Sequence, residues 1–257
     1  MEKHCQIVIV GHHHGKLTMS IDKEIVHKLI FITEKEMLYG TEEAEKTLRN
    51  LLDYYKKRKV VVESIKFDFS VQTKPIAQLI HLIYQQKLAG FDEITVNISG
   101  GLRYINVWFY IACSITNTRI IHGDYIYEGK QEVGITSNIN LTNIPLSSIT
   151  KKQFEFLSLF FPEYKTKNEF FNSGKEFNEI AHIKNRITYN SLEEVREALE
   201  KRRGTELSRG SIKGFTDKLK LLSALDIVPN PDDKKERQIS ISYLGIGFFL
   251  HYLFSNF

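Results

Sequence analysis

Apolar residues fall along the first half of the chain in short β-branched runs that alternate with stretches of helical spacing. Cys5-Gln6-Ile7-Val8-Ile9-Val10, closed by Gly11, and Ile25 to Thr33 are apolar without alternation, the pattern of strands buried on both faces in a parallel sheet. Gly40-Thr41-Glu42-Glu43 opens a helix with Thr41 as N-cap. Leu48, Leu51, Leu52 and Tyr55 give it one apolar stripe, and Lys56-Lys57-Arg58-Lys59 close it with the charge the helix dipole prefers. A third strand runs from Val60 to about Phe69. A helix starting near Pro75 carries Leu79, Ile80, Leu82, Ile83 and Leu88. Ile94 to Ser99 is a fourth strand, and Gly100-Gly101 turns into an apolar helix through Trp108 and Ile115. Arg119 to Tyr127 and Glu132 to Leu141 read as one terminal hairpin. Strand–helix alternation of this kind predicts an α/β, Rossmann-like domain with a mostly parallel sheet over 1–145.

Past Pro145 the pattern is helical. Thr150 to Phe161 carries Phe154, Leu157, Phe160 and Phe161 on one stripe, and 163–190 is polar and mixed, an irregular insertion. Ser191-Leu192-Glu193-Glu194 is a capping-box start, and Arg203-Gly204-Thr205 ends that helix. Ser208 caps a further helix bearing Ile212, Phe215, Leu219, Leu222 and Leu225. Turn chemistry at Val228 to Asp233 and alternation from Arg237 to Tyr243 give a β-hairpin. A final apolar helix from Leu244 is either core or a dimer seam. The order helix, helix, turn, helix, hairpin predicts a winged helix-turn-helix domain over 146–257.

Composition narrows the class. The chain has 257 residues and is 42% hydrophobic, which excludes a wholly disordered or collagen-like chain. Two cysteines, Cys5 and Cys113, are too few for a disulfide scaffold or a four-cysteine zinc site and read as reduced core residues of a cytoplasmic protein. No charged segment followed by an apolar stretch and a small-residue cleavage site opens the sequence, so no signal peptide is expected. The apolar run Leu244 to Phe254 falls short of the roughly 20 residues a membrane span needs, so no membrane partner is expected. The net charge of +4 is uninformative until it is divided. Lys201 to Lys220 holds seven basic and two acidic residues, a local excess of five.

That excess is concentrated around the expected recognition helix. Arg209, Ser211 and Lys213 lie at its N-terminal end, where such helices meet base edges, with Lys218 further along. Lys234, Lys235 and Arg237 lie on the wing, within reach of phosphates of double-stranded DNA. The alternative is an interaction platform of the same fold with solvated lysines.

Two further segments carry chemistry. After the fourth strand, Asn97-Ile98-Ser99-Gly100-Gly101-Leu102-Arg103 offers backbone N–H groups at a helix N-terminus plus a cationic donor, an anion site or a plain strand-to-helix turn. Asn97 either contacts a base or ribose or packs at its strand end. After the first strand comes Gly11-His12-His13-His14-Gly15-Lys16. In a parallel sheet both segments lie on the carboxyl edge, where ligands bind. Adjacent histidines cannot readily face one metal ion, and no carboxylate or thiol cluster accompanies them, so no metal and no cofactor is expected. Gly11 to Gly15 is not G-x-G-x-x-G, which argues against a nicotinamide enzyme.

Together these segments resemble the CRISPR-associated Rossmann-fold (CARF) domain. That family has a ligand loop after its first strand and an S/T-G-G-x-K/R turn, here Ser99-Gly100-Gly101-Leu102-Arg103. The triple histidine departs from the usual first loop. With its second half, the chain resembles archaeal CARF–winged-helix proteins encoded beside CRISPR loci. The resemblance implies a homodimer that binds a cyclic oligoadenylate, most often cyclic tetra-adenylate, and acts as a ligand-responsive DNA-binding regulator of type III CRISPR defence. Ligand contacts would come from Gly11, His12, His13, His14, Lys16, Asn97, Ser99, Gly100, Gly101, Leu102 and Arg103. The alternative is a metal-independent ring nuclease, in which Arg103 stabilises charge and one of His12, His13 or His14 moves the proton. A lysine is more usual at the Arg103 position in active members. No Arg is followed by a His after a gap of four to six residues, so the family's usual ribonuclease motif is missing.

Overall fold

The computed structural model describes residues 2–35, 41–70, 73–101, 103–129, 131–135, 138–141, 149–161, 187–233 and 235–256. The expected insertion at 163–190 therefore falls almost wholly outside the described residues, as do Leu102 and Lys234. Two compact units form, one of Met1–Pro75 and Leu82–Leu146, the other of Ile76–His81 and Ser147–Phe257.

The first unit is a Rossmann-like α/β fold. Its elements are β1 (His4–Ile9), α1 (His14–Ile21), β2 (Lys28–Glu34), α2 (Thr41–Lys57), β3 (Val61–Phe67), α3 (Lys74–Leu88, of which Ile76–His81 is counted with the second unit), β4 (Glu93–Asn97), α4 (Arg103–Thr116), β5 (Arg119–His122), β6 (Tyr125–Glu128), β7 (Gln131–Ile135) and β8 (Ile139–Leu141). The main sheet has the order β3-β2-β1-β4-β5-β8, parallel except for the last pairing. Side chains alternate across a strand, so Val8 and Val10 face one side with Leu29 and Phe31 of the neighbouring strand. Leu17 and Ile21 of α1 and Leu51 and Tyr55 of α2 close over them in a buried cluster. Burying side chains of this size stabilises by about 1.5–3 kcal/mol each.

Three local readings change. The segment after β1 is not a loop throughout: α1 starts at His14, which places Lys16 on a helix. Eight residues with Gly15, Thr18 and Ser20 among them, and only Leu17 and Ile21 at helical spacing, give too weak a periodicity to read. The helix expected to open on a Thr41 cap has Thr41 as its first helical residue. The single terminal hairpin is two nested ones. β5 pairs with β8, and β6 with β7 forms a separate ribbon inside. The break falls at Gly123, whose N–H donates to the Ser99 hydroxyl at 2.8 Å rather than to a ladder.

At the amino edge of the sheet Arg119 forks to Glu24 at 2.7 Å, Glu93 at 2.9 Å and Asn140 at 2.9 Å, while His4 meets Thr95 Oγ1 at 3.0 Å. Cys5 and Cys113 are fully buried. Burial pushes the Cys5 thiol up to about 12 and raises that of Cys113 as well. Neither is a ready nucleophile.

The second unit is helical with one small sheet. It comprises α5 (Lys151–Leu157) running into a 3-10 turn (Ser158–Phe160), α6 (Leu192–Arg203), α7 (Arg209–Leu221), β9 (Leu225–Pro229), β10 (Arg237–Ile241) and α8 (Tyr243–Asn256). Thr150 and Gln153 form a reciprocal capping box on α5. At α6 only half of the expected box closes. Ser191 accepts from Glu194 N at 3.1 Å, but the Glu194 carboxylate takes Asn190 N at 2.7 Å instead. Leu225, expected on α7, opens β9, because the helix ends at Leu221 and Ser223 adopts a φ of 53°. α8 is core: Phe249 stacks on Phe154 at 5.2 Å and on Phe161 at 4.2 Å, and Ile246, Leu250 and Leu253 are buried. Among the described residues no helix is long and apolar enough to cross a membrane.

His81 in α3 is buried, and burial alone takes its pKa from 6.5 down to about 3. The folded chain thus holds His81 neutral where the unfolded chain would protonate it. Its contribution to stability is complete above about pH 6.5 and falls as the pH drops toward 3. Urea titrations at pH 7 and pH 5 are expected to show wild type losing about 2 kcal/mol more than His81→Leu over that interval.

Candidate functional site

In a sheet of order 3-2-1-4-5 the connections leaving β1 and β4 turn to opposite sides, and a crevice opens between them at the carboxyl edge. The two glycine-bearing segments singled out above are the ones that leave β1 and β4. They touch backbone to backbone. A Cβ on Gly11 would sit 1.7 Å from the Gly100 carbonyl oxygen, and one on Gly100 would sit 2.5 Å from the Ile9 carbonyl oxygen and 2.9 Å from Leu17 Cδ2. Neither position has room for any side chain.

Beneath this contact lies a buried polar cluster. Asn97 is fully buried and Ser99 is 5% exposed. Asn97 Oδ1 accepts from Ser99 N at 3.0 Å and from the Ser99 hydroxyl at 2.6 Å, and Asn97 Nδ2 donates to Ser20 Oγ at 2.9 Å. Ser20 donates to Asn138 Oδ1 at 2.8 Å, and Asn138 returns a bond to the Ser20 carbonyl at 2.8 Å. With the Ser99–Gly123 bond, the cluster ties the ends of β4 and β5 to α1. Asn97 and Ser99 thus spend their polar atoms on the scaffold and fix the path of the turn above them. Ser20, Gly123 and Asn138 carry no sequence signal for this role. Ser20 is 77 residues from Asn97, Asn138 is 118 from Ser20 and Gly123 is 24 from Ser99, so the role is purely tertiary.

Above the cluster, Gly100 and Gly101 are partly exposed, and among the described residues their N–H groups make no hydrogen bond. α4 begins at Arg103, so these amides lie at its positive end. The side chain of Arg103 and all of Leu102 lie outside the described residues.

The three histidines face three different neighbours. His12 is exposed, with Nδ1 3.5 Å from Glu43 Oε2, and its carbonyl accepts from Thr47 Oγ1 at 3.0 Å. His13 is the N-cap residue of α1, with its ring edge-on to Tyr125 at 5.7 Å. His14 turns to Tyr54 at 6.4 Å, and its Nε2 is buried without a partner. Adjacent residues entering a helix splay, which is why they do not converge. Lys16 Nζ is 3.1 Å from Asp124 Oδ1 and 5.6 Å from the centre of the Tyr125 ring. That ammonium holds the Asp124 carboxyl below its ordinary value, aided by Tyr125 N. Asp124 and Tyr125 follow β5, and the edge rule that located the other two loops locates them too.

In the second unit α7 buries Ile212, Thr216 and Leu219 and exposes Arg209, Lys213, Lys218 and Lys220. Ser208 caps it, accepting from Ser211 N at 3.2 Å. Arg209 is held loosely by Glu193 at 3.3 Å with its side chain 83% exposed. Ser211 Oγ pairs with Ser208 Oγ at 2.9 Å. The hairpin bears exposed Lys235 and Arg237 together with exposed Asp232 and Asp233, so its tip is mixed rather than uniformly basic.

No protein-family model matches the chain, and no curated protein does. Among solved structures it is similar to protein VC1899 from Vibrio cholerae, at 12% identity over 96% of this chain and 64% of that one, with a TM-score of 0.38. It is also similar to a type III CRISPR defence DNA nuclease activated by cyclic oligoadenylate, at 14% identity over 84% of this chain and 33% of that one, again with a TM-score of 0.38. The chain thus spans less than two thirds of either protein, and at these scores neither likeness assigns an activity.

Replacing Gly11 by alanine is expected to lower the unfolding free energy by about 1–3 kcal/mol or more through overpacking. Gly15→Ala, where a Cβ meets nothing within 4 Å, is expected to be neutral or stabilising by up to about 1 kcal/mol. Paired denaturant titrations measure both.

Proposed function

We propose that the first unit binds a cyclic oligoadenylate, in the first instance cyclic tetra-adenylate, at the crevice between the β1 and β4 connections. We propose further that the chain works as a homodimer in the cytoplasm. The observation that carries this reading is the meeting of Gly11 and Gly100, beside amides of Gly100 and Gly101 that make no hydrogen bond among the described residues, at the N-terminus of α4. A cyclic oligonucleotide presents several phosphates, and amides at a helix N-terminus favour phosphate. Arg103 adds a charge-assisted donor. Asn97 and Ser99 act in this reading as positioning residues, and Lys16 is shared between ligand and Asp124.

The second unit, in this proposal, is a winged helix that binds double-stranded DNA through Arg209, Ser211, Lys213 and Lys218 of α7 and Lys234, Lys235 and Arg237 of the hairpin. The exposed cations of α7 support it. Ligand control requires the effector to bind two arrangements of the dimer unequally.

A ring-nuclease reading is favoured by one contact, the His12–Glu43 pair at 3.5 Å. A carboxylate beside an exposed imidazole orients it to take the proton of an attacking 2′-hydroxyl. The backbone amides and Arg103 would stabilise the developing phosphate charge.

Calorimetry with cyclic tetra-adenylate tests the first claim. Wild type is expected to bind, and Arg103→Ala to bind at least about tenfold more weakly; equal binding by the variant overturns the assignment of the turn. Incubation with EDTA present separates sensor from nuclease: a linear product that disappears in His12→Ala establishes the nuclease, and an intact ring excludes it. Gel retardation across a salt series tests the DNA claim. Binding is expected to weaken steeply with salt, and Lys213→Ala to flatten the slope by about one.

A further inference from the structure

The carboxyl edge carries an aromatic surface beside the free amides. Tyr104, the residue after Arg103 on α4, is 46% exposed. Its ring is held from behind by a chain of aromatic contacts. It meets Trp108 edge-on at 5.3 Å and 75°, and Trp108 stacks on Phe69 at 6.5 Å and 24°. Phe69 rests on Phe67 at 6.2 Å and on Phe109 at 6.4 Å, both fully buried. The outermost ring is thus anchored to the core and has little orientational entropy left to lose.

The row runs along the carboxyl edge. Tyr104 lies in the first turn of α4, after β4, and Phe69 lies just past the end of β3. β2 and β1 lie between those two strands in the sheet, so the row passes beside the carboxyl ends of the strands, the edge at which the Gly100 and Gly101 amides also lie. Burial raises the Tyr104 hydroxyl pKa, and so does the Glu34 carboxylate at the end of β2.

We propose that Tyr104 is a stacking platform for a purine base of the nucleotide whose phosphate sits at the Gly100–Gly101 turn. This rests on the reading of that turn as a nucleotide phosphate site and adds the group that reads the base. A nucleotide carries base and phosphate on one sugar, so a phosphate bound by the turn holds its base within reach of a ring three residues beyond Gly101. Every base has a π-face, and stacking on an aromatic side chain is a large part of the binding of single-stranded nucleic acid. An inorganic anion gains nothing from the same ring.

Trp108 is the sole tryptophan and lies 5.3 Å from Tyr104, so its fluorescence reports on the platform. The full chain, Tyr104→Ala and Tyr104→Phe are titrated with cyclic tetra-adenylate, adenosine monophosphate, ribose 5-phosphate and inorganic phosphate, following fluorescence and heat. The adenine ligands are expected to quench Trp108 and the two base-free ligands not to. Tyr104→Ala is expected to bind the adenine ligands about tenfold more weakly, and Tyr104→Phe within about twofold of wild type. Equal binding by Tyr104→Ala overturns the platform while leaving the phosphate site standing. Tyr104-dependent binding of adenosine monophosphate without binding of cyclic tetra-adenylate keeps the platform and overturns the cyclic ligand. Binding of no adenine ligand by wild type overturns both. Sedimentation of the same variants gives the remaining outcome: a dimeric wild type made monomeric by Tyr104→Ala marks the ring as a subunit contact and overturns the proposal.

Discussion

The first unit is organised around a place where side chains are forbidden. Gly11 and Gly100 bring two main chains together so closely that a single methyl group on either would overlap a carbonyl oxygen. Two strands that lie side by side in the sheet can then send their connections to opposite faces while the first residues of those connections stay in contact. The close approach also keeps amides at the surface that a bulkier turn would cover. Both the parallel sheet at β1–β4 and the chemistry of its edge depend on that contact.

The polar cluster under the turn is what makes the contact reproducible. Asn97 binds both the amide and the hydroxyl of Ser99, and Ser20 and Asn138 tie the pair to α1. In surroundings this buried an unmatched amide or hydroxyl costs about 1–3 kcal/mol, so the members hold one another in a single arrangement. The same cluster stops β5 at Gly123 and releases the β6–β7 ribbon toward His13 and Lys16. Scaffold and candidate site are therefore one set of bonds, with Ser99 common to both.

The second unit divides its residues more simply. α7 turns Ile212, Thr216 and Leu219 inward and its cations outward, and aromatic stacking of Phe154, Phe161 and Phe249 joins α5 to α8. Glu193 and Glu200 are engaged by Arg196, and Glu155 by Arg203. Arg209, Lys213, Lys218 and Lys220 are left facing solvent, which is where the surplus of positive charge is available to a polyanion.

Strands β1 to β4, helices α2 to α4 and the order of the described elements after Thr150 were legible in the sequence, because each follows from side-chain periodicity and local capping. So was the pairing of the two glycine segments on one edge, since that follows from parallel topology. What periodicity cannot carry is contact between distant residues. The nested hairpins in place of one follow from such a contact, the Ser99–Gly123 bond, whereas the short α1 has too few apolar positions to read and the halved capping box at Ser191 and the early end of α7 were decided next door, by Asn190 N and by the turn at Ser223. The surroundings of Asn97, Lys16 and Tyr104 belong to the same class as the hairpins. A side chain's type states which bonds it can make, but only the folded chain decides whether the partner is the scaffold, as for Asn97, a neighbouring carboxylate, as for Lys16, or a second aromatic ring with the other face open, as for the half-exposed Tyr104 against Trp108.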